Sequence, residues 1–184
     1  MSQSEYDADI WPLSCSWVYP REQRSKNRLK VMVIGAHPDD PDLLCGGLMK
    51  KLTDRGHRVK WVAVTNSNKG SYHHDPIELA GIQFEETKRA AAILGAEYEC
   101  LNVLDGEVYV NKENTHKVLR CIRRFDPDLV ITHRPYDYHR DHRYTSQLVL
   151  DASYMLIVPL FCPDTPIAPR REMPIFMYSY DHFT

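Results

Sequence analysis

The sequence predicts a single α/β domain, a largely parallel sheet with helices on both faces, and three observations predict it. Short runs of β-branched and aliphatic residues recur at 29–36, 59–65, 98–103 and 129–132. Stretches of helix formers separate them. The two densest groups of imidazoles and carboxylates each follow directly on one of these runs, at 37–40 and 133–142. Strands that alternate with helices of ordinary length imply right-handed crossovers, so the loops beyond the carboxyl ends of the strands gather at one edge.

The first strand, at 29–36, runs through Val31, Met32, Val33 and Ile34 to Gly35 and Ala36. A helix follows through Leu43, Leu48, Met49 and Leu52, and Arg55 and Gly56 close it, a basic residue and a glycine both being helix stop signals. The second strand takes 59–65, and the polar stretch 66–75 reads as a loop of the kind that lies over a site. Helix formers fill 78–94, ending in Ala90, Ala91, Ala92, Ile93 and Leu94, with Gly95 as the stop before a short strand at 98–103. Val118, Leu119, Ile122 and Phe125 share one face of a third helix, and Pro127 separates it from the strand 129–132. A fourth helix spans about 141–157. The chain then turns proline-rich, shows one more strand-like run at 174–180 and stops at Thr184, which raises the expectation that a natural C-terminal part is missing. Residues 1–28 read as an irregular extension, with Trp11, Trp17 and Tyr19 packing on the domain surface, and 29–184 as the domain.

At 184 residues and 43% hydrophobic, the chain is long enough for one well-filled core and too short for two. Its 23 basic residues against 25 acidic ones give a formal charge of −2, so composition supplies no general attraction to nucleic acid or an anionic membrane. No stretch reaches the roughly 20 apolar residues of a membrane span. The N-terminus lacks the basic and then apolar segments of a secretory signal. Cys15, Cys45, Cys100, Cys121 and Cys162 are scattered, odd in number and form no C-x-x-C pair, which argues against a disulfide framework and a zinc knuckle and reads as reduced thiols in a cytoplasmic protein.

The first strand delivers the chain into His37, Pro38, Asp39 and Asp40. Proline suits the first position of a helical turn, and such a turn lets His37 and Asp40, three residues apart, converge. A catalytic zinc takes three protein ligands and keeps a fourth position for water, and His142 of the second group is the candidate third ligand. A His₂Asp set also suits other divalent metals, Fe²⁺ among them. Asp39, left unligated, is the candidate base for a water beside the metal. His139 is the candidate general acid or oxyanion stabiliser, and Asp141 fixes its orientation or that of a ligand.

Singly, each motif has an ordinary reading. Asp39 and Asp40 in a first turn satisfy the helix dipole, an Asp-His pair opening a helix is capping chemistry, and His133 and His139 in a tyrosine-rich loop are surface residues. Co-location at one sheet edge requires both ordinary readings to hold at once. Gly46 and Gly47 fit close packing beneath a site, since a helix pays about 1 kcal/mol for each glycine.

Taken together, several segments resemble the PIG-L/LmbE-like N-acetylglucosaminyl deacetylases over residues 29–160. They are Ala36 through Asp40 with Gly46 and Gly47, Thr65 with Lys69 and Gly70, Leu94 with Gly95, and the run from Thr132 and His133 through Pro135, Asp137, Tyr138, His139 and Asp141 to His142. The resemblance implies a Rossmann-like fold, a zinc held by His37, Asp40 and His142, and Asp39 as base for the water that attacks an N-acetyl carbonyl. It implies that His139, supported by Asp141, stabilises the tetrahedral intermediate or protonates the leaving amine. The implied substrate is a small N-acetyl amino sugar or sugar conjugate, and Tyr138 and Arg143 are candidates to contact its hydroxyls. Two departures stand out: Pro41 and then Asp42 replace the acidic residue that usually follows the two aspartates, and Gln83 replaces an arginine three residues ahead of Glu86. Neither removes a proposed ligand. A non-catalytic zinc- or sugar-binding module on the same fold is the alternative. A nucleotide-binding domain is disfavoured, because the first strand leads into His-Pro-Asp-Asp and not into a G-x-G-x-x-G loop. The sequence is compatible with an oligomer and does not specify one.

Overall fold

The computed structural model describes residues 28–165, 167 and 173–180. The expected extension over 1–28 therefore lies, but for Arg28, outside the described residues. The elements are β1 (Lys30–Gly35), α1 (Asp40–Asp54), β2 (Arg58–Thr65), α2 (Pro76–Leu94), β3 (Glu97–Val103), α3 (Lys112–Phe125), β4 (Leu129–Thr132), α4 (Arg140–Met155) and β5 (Ile175–Tyr178). All strand pairs are parallel and the order is β3-β2-β1-β4-β5. The chain starts in the middle of the sheet, winds outward to β3, and returns to lay β4 on the other side of β1. Sites form where the winding direction reverses in this way, because the loops leaving the two central strands diverge there. Ile34 pairs with Thr132, so the segments at 37–40 and 133–142 leave the sheet side by side.

Five successive buried residues make β1 a strand covered on both faces. Its side chains alternate between two cores. Met32 and Ile34 join Val62, Val64, Val130, Leu119, Ile122 and Leu148 on the side of α3 and α4. Val31 and Val33 join Trp61, Ile131, Met49 and Ala91 on the side of α1 and α2. The helix ends follow local chemistry. Asp75 accepts from the backbone N–H groups of Ile77 and Glu78, and Pro76 takes the first helical position, so α2 starts two residues ahead of the expected 78. Gly95, at φ 73°, ends it.

Arg123 ties one face together. Its buried guanidinium donates to five backbone carbonyls, Nη1 to those of Phe161, Cys162 and Thr165 and Nη2 to those of Met155 and Val158. These include the carbonyl of Met155, the last residue of α4, which also accepts from the Val158 N–H at 3.2 Å.

The glycines divide. A Cβ on Gly35 would sit 2.6 Å from Cδ of Pro41 and 2.7 Å from Cβ of Asp40, so only glycine lets the end of β1 pass this close to the first turn of α1. The close packing expected of Gly46 and Gly47 is found only in part. A Cβ on Gly46 would meet the Asp42 carboxylate of its own helix, and one on Gly47 would meet nothing within 4 Å. Cys45, Cys100, Cys121 and Cys162 are free thiols, and Cys15 lies outside the described residues. Among the described residues no helix is long and apolar enough to cross a membrane.

Candidate functional site

Gly35 and Ala36 bring the chain out of β1, and Pro38 turns it into α1. The indole Nε1–H of buried Trp61 donates to the Pro38 carbonyl at 3.0 Å and fixes that turn. The backbone N–H of His37 donates to Oδ2 of Asp40 at 2.7 Å, so His37 and Asp40 converge as their spacing requires. Nδ1 of His37 lies 3.4 Å from the same oxygen. From the second segment, Nε2 of His142 lies 3.2 Å from Oδ1 of Asp40. Nδ1 of His142 faces Oδ1 of Asp137 at 3.0 Å, and because a carboxylate only accepts, Nδ1 carries a proton, while Nε2 faces Asp40.

Two segments far apart in sequence thus meet on one carboxylate. Ligands bonded tetrahedrally to zinc at 2.0–2.2 Å stand about 3.3 Å apart. The His37 contact is with Oδ2 of Asp40 and the His142 contact with Oδ1, each near that edge; among the described residues the groups with metal-ligand spacing are His37 with His139 and His142, Asp40 with His133 and His142, and His37 with Asp105 and Asp141, and none holds His37, Asp40 and His142 together. The electrostatics also call for a cation. Asp105 lies 3.3 Å and Asp141 3.7 Å from Nε2 of His37. Burial alone would lower the pKa of His37, but hydrogen bonds to Asp105, Asp141 and Asp40 push it up to about 12. Burial likewise opposes ionisation of Asp40, and hydrogen bonds from His133, His142 and His37 hold it well below the ordinary carboxylate range. The pKa of His142 is likewise raised against the effect of burial, by hydrogen bonding to Asp40 and the charges of Asp40 and Asp137.

His133, read from the sequence as a surface residue, is buried. The N–H of Ala36 donates to its Nε2 at 3.0 Å, and the same nitrogen lies 3.0 Å from Oδ2 of Asp40. One tautomer cannot serve both contacts, since a nitrogen that accepts from Ala36 has no proton to give Asp40. Asp40, His133 and His142 form one of the groups with metal-ligand spacing. The His133 ring also stacks on His142, with centroids 4.0 Å apart and planes at 5°.

The remaining predicted residues occupy distinct positions. Asp39 is exposed at the N-cap of α1 and makes no side-chain cap bond. His139 caps α4, its Nδ1 accepting from the Asp141 N–H at 3.2 Å, so a neutral ring carries its proton on Nε2. Burial and the neighbouring His37 and His142 push its pKa down, favouring that neutral form. Asp141 is fully buried. Its Oδ2 accepts from Gly106 N–H at 2.8 Å and its Oδ1 has no hydrogen-bond partner. Tyr138 is exposed, its ring 5.7 Å from that of His142. Nη1 of Arg143 donates to the carbonyls of Asp137 at 2.7 Å and Tyr138 at 3.0 Å, and so holds the loop that carries them. Gln83 is half-buried on α2, and His73 and His74 are exposed, with their N–H groups donating to Ser71 Oγ.

Asp105 was not singled out by the sequence. Arg140 places it: the guanidinium sits over the rings of Tyr109 and Tyr144 and donates to the Gly106 carbonyl at 2.7 Å, pinning the loop after β3 to the start of α4. Oδ1 of Asn68 accepts from the Asp105 N–H at 3.1 Å on the other side.

A family model described as PIG-L, GlcNAc-PI de-N-acetylase, matches residues 32–153, which contain both segments. The chain belongs to the PIG-L family. Over 138 residues it is 34% identical to the diacetylchitobiose deacetylase of Thermococcus kodakarensis, a match covering 72% of this chain and 52% of that one. A solved structure of N,N'-diacetylchitobiose deacetylase from Pyrococcus horikoshii superposes with a TM-score of 0.76 at 26% identity, over 96% of this chain and 72% of that one. A 4-oxalmesaconate hydratase of Pseudomonas putida is 25% identical over 151 residues, covering 76% of this chain and 58% of that one. The chain spans little more than half the length of these two curated relatives. Its α/β sheet is the Rossmann-like one expected for a PIG-L member.

Proposed function

We propose that the chain carries the catalytic centre of a metal-dependent deacetylase, an amidohydrolase acting on an N-acetylglucosamine-type amino sugar or conjugate. The observation that carries this reading is the Asp40 carboxylate, which contacts His37 through Oδ2 and His142 through Oδ1 and so gathers ligand-type side chains of both segments at one point. Bound zinc, or another divalent ion such as Fe²⁺, supplies a Lewis acid that polarises the acetamide carbonyl and acidifies a water. His37, Asp40 and His142 would hold it, with His133 adjoining.

Asp39, free of capping bonds, takes the proton of the attacking water. The Nε2–H of His139 donates to the oxygen that becomes negative as the carbonyl carbon turns tetrahedral, and the proton held by Asp39 passes to the nitrogen as the C–N bond breaks. Asp141 presents the N–H that fixes the His139 tautomer. Acetate and a free amine leave. Tyr138 lines the sugar side and Arg143 acts on substrate through the loop it holds. The free thiols among the described residues support a cytoplasmic setting.

The test combines metal content with acetate release from N-acetylglucosamine and N,N'-diacetylchitobiose. About one equivalent of zinc and stoichiometric acetate are expected, scaled on the one-ion site. Sugar binding without acetate release would favour the non-catalytic module. Water addition to an unsaturated carboxylic acid is a second reading, motivated by the hydratase relative, and would appear as loss of its ultraviolet absorbance.

A further inference from the structure

The turn after β3 carries an acid to which the chemistry above gives no role. The Glu107 N–H donates to the Leu104 carbonyl at 3.0 Å and closes a tight turn, with Gly106 at its third position at φ 71°. Asp105 takes the second position, and its Oδ1 lies 3.3 Å from Nε2 of His37. We infer that Asp105 orients His37 for the metal by accepting the proton on Nε2, and that Arg140 is the positioning residue that holds Asp105 there.

Three observations carry this. First, His37 faces carboxylates from both ring nitrogens, Nδ1 toward Oδ2 of Asp40 at 3.4 Å and Nε2 toward Asp105. A neutral imidazole has one N–H, and a carboxylate only accepts. The N–H directed at Asp105 leaves the lone pair of Nδ1 on the side of Asp40, where the two segments converge. A carboxylate behind a ligating imidazole fixes its tautomer and the direction of its ring. Asp137 stands in the same relation to His142 on the opposite side of Asp40.

Second, consecutive residues of α4 grip the turn at one point. The Gly106 N–H donates to Oδ2 of buried Asp141 at 2.8 Å, and the Gly106 carbonyl accepts from Nη1 of Arg140 at 2.7 Å. Nη2 of Arg140 reaches on to the Val108 carbonyl at 3.3 Å. The guanidinium is itself held, with Cζ 4.6 Å from the ring centroid of Tyr109 and 4.9 Å from that of Tyr144. Third, the loop after β2 braces the other flank: Oδ1 of Asn68 accepts from the Asp105 N–H at 3.1 Å, and Lys69 pairs with Glu107. A backbone fixed on both flanks gives the Asp105 carboxylate the precision that orienting a ligand requires.

This rests on the proposed metal centre and adds to it a residue that touches neither metal nor substrate. The test is a double-mutant cycle on zinc affinity: Asp105→Asn, Arg140→Met and the pair, each titrated against a chromophoric chelator. No sugar is present, so a lost substrate contact cannot enter. Asp105→Asn is expected to weaken zinc binding about 10- to 100-fold. Arg140→Met is expected to weaken it about 3- to 10-fold in the unmodified chain and less than about twofold in the Asp105→Asn background, because a residue that acts through Asp105 then has nothing to act on. An effect of about twofold or more in that background overturns the inference, as does unmodified affinity in either single variant. So does a second equivalent of zinc that Asp105→Asn removes: His37, Asp105 and Asp141 have ligand spacing themselves, and Asp105 would then be a ligand. If Arg140→Met does not fold, Arg140→Lys takes its place, since an ammonium cannot bridge two carbonyls while lying flat between two rings. Acetate release from N-acetylglucosamine is assayed separately. Coupled zinc affinities without acetate retire the deacetylase reading and keep the inference, and acetate release without coupling does the reverse. A chain that binds no zinc loses both.

Discussion

Oδ1 of Asp40 stands 3.2 Å from Nε2 of His142, though one residue opens α1 and the other lies in the first turn of α4. The contact exists because β1 and β4 are adjacent and parallel, so each strand sends its following helix away from the same point. A fold with β4 anywhere else in the sheet would leave two unconnected acidic helix starts. The contact also depends on a third residue, Asp137, which receives the proton on the far nitrogen of His142.

Asp137→Asn is therefore expected to weaken zinc affinity about 10- to 100-fold, the usual consequence of removing the carboxylate behind a ligating imidazole. His142→Ala is expected to lose the metal on dialysis. Competition titration with a chromophoric chelator measures the first and elemental analysis the second. Wild-type affinity in Asp137→Asn would show that the carboxylate does not orient the ring.

Asp39→Asn separates binding from turnover. Its carboxylate is exposed and makes no cap bond, so the amide should change neither the metal content nor Tm. Acetate release is expected to drop about 10²-fold or more, the scale of a lost general base. Residual activity above a tenth of the unmodified rate would remove Asp39 from that role.

Gly35→Ala and Gly47→Ala should act in opposite directions. At Gly35 the new methyl meets Pro41 and Asp40 at under 3 Å, which calls for a loss of about 1–3 kcal/mol, each kcal/mol being worth about 2–4 °C in Tm at this chain length, together with weaker metal retention as Asp40 is displaced. At Gly47 the methyl meets open space inside a helix, and a gain of up to about 1 kcal/mol is expected. Thermal unfolding of the two variants side by side checks the contrast.

Glu99 gives a prediction in pH. Burial works against its charge, but Lys60 at 2.5 Å and Arg124 hold its pKa below the ordinary 4.5. A depressed carboxylate pKa contributes stability above the unfolded-state value, and that contribution fades as pH falls through the folded-state value. Glu99→Gln should accordingly lower Tm by about 2–4 °C near neutral pH, for a loss of about 1 kcal/mol, with the gap closing below pH 4.5. A gap that persists in acid would assign the effect to packing.

Most of the frame was legible in the chain because buried parallel strands announce themselves as unbroken apolar runs. The strand expected at 129–132 is Leu129–Thr132, and the run at 29–36 is Lys30–Gly35. Helix starts were less well read where a polar cap preceded the apolar pattern, as Asp75 and Pro76 do. At the site, His37, Asp40 and His142 could be chosen because strand ends and ligand chemistry coincide. His133, Asp105 and Asp137 could not, since each acts by tertiary placement: one lies under Asp40, one is pinned by Arg140, and one stands behind His142.

Arg123 carries a consequence for how this sequence can drift. Every acceptor of its guanidinium is a main-chain carbonyl between Met155 and Thr165, so side chains along that stretch are free to change so long as the backbone path survives. Position 123 has no such latitude: the three donors of a lysine ammonium cannot reach five acceptors spread over a fork. Substitutions should therefore accumulate on the connection leaving α4 while the one arginine opposite it stays fixed, an asymmetry that lets the segment be reshaped without unfastening it from the domain.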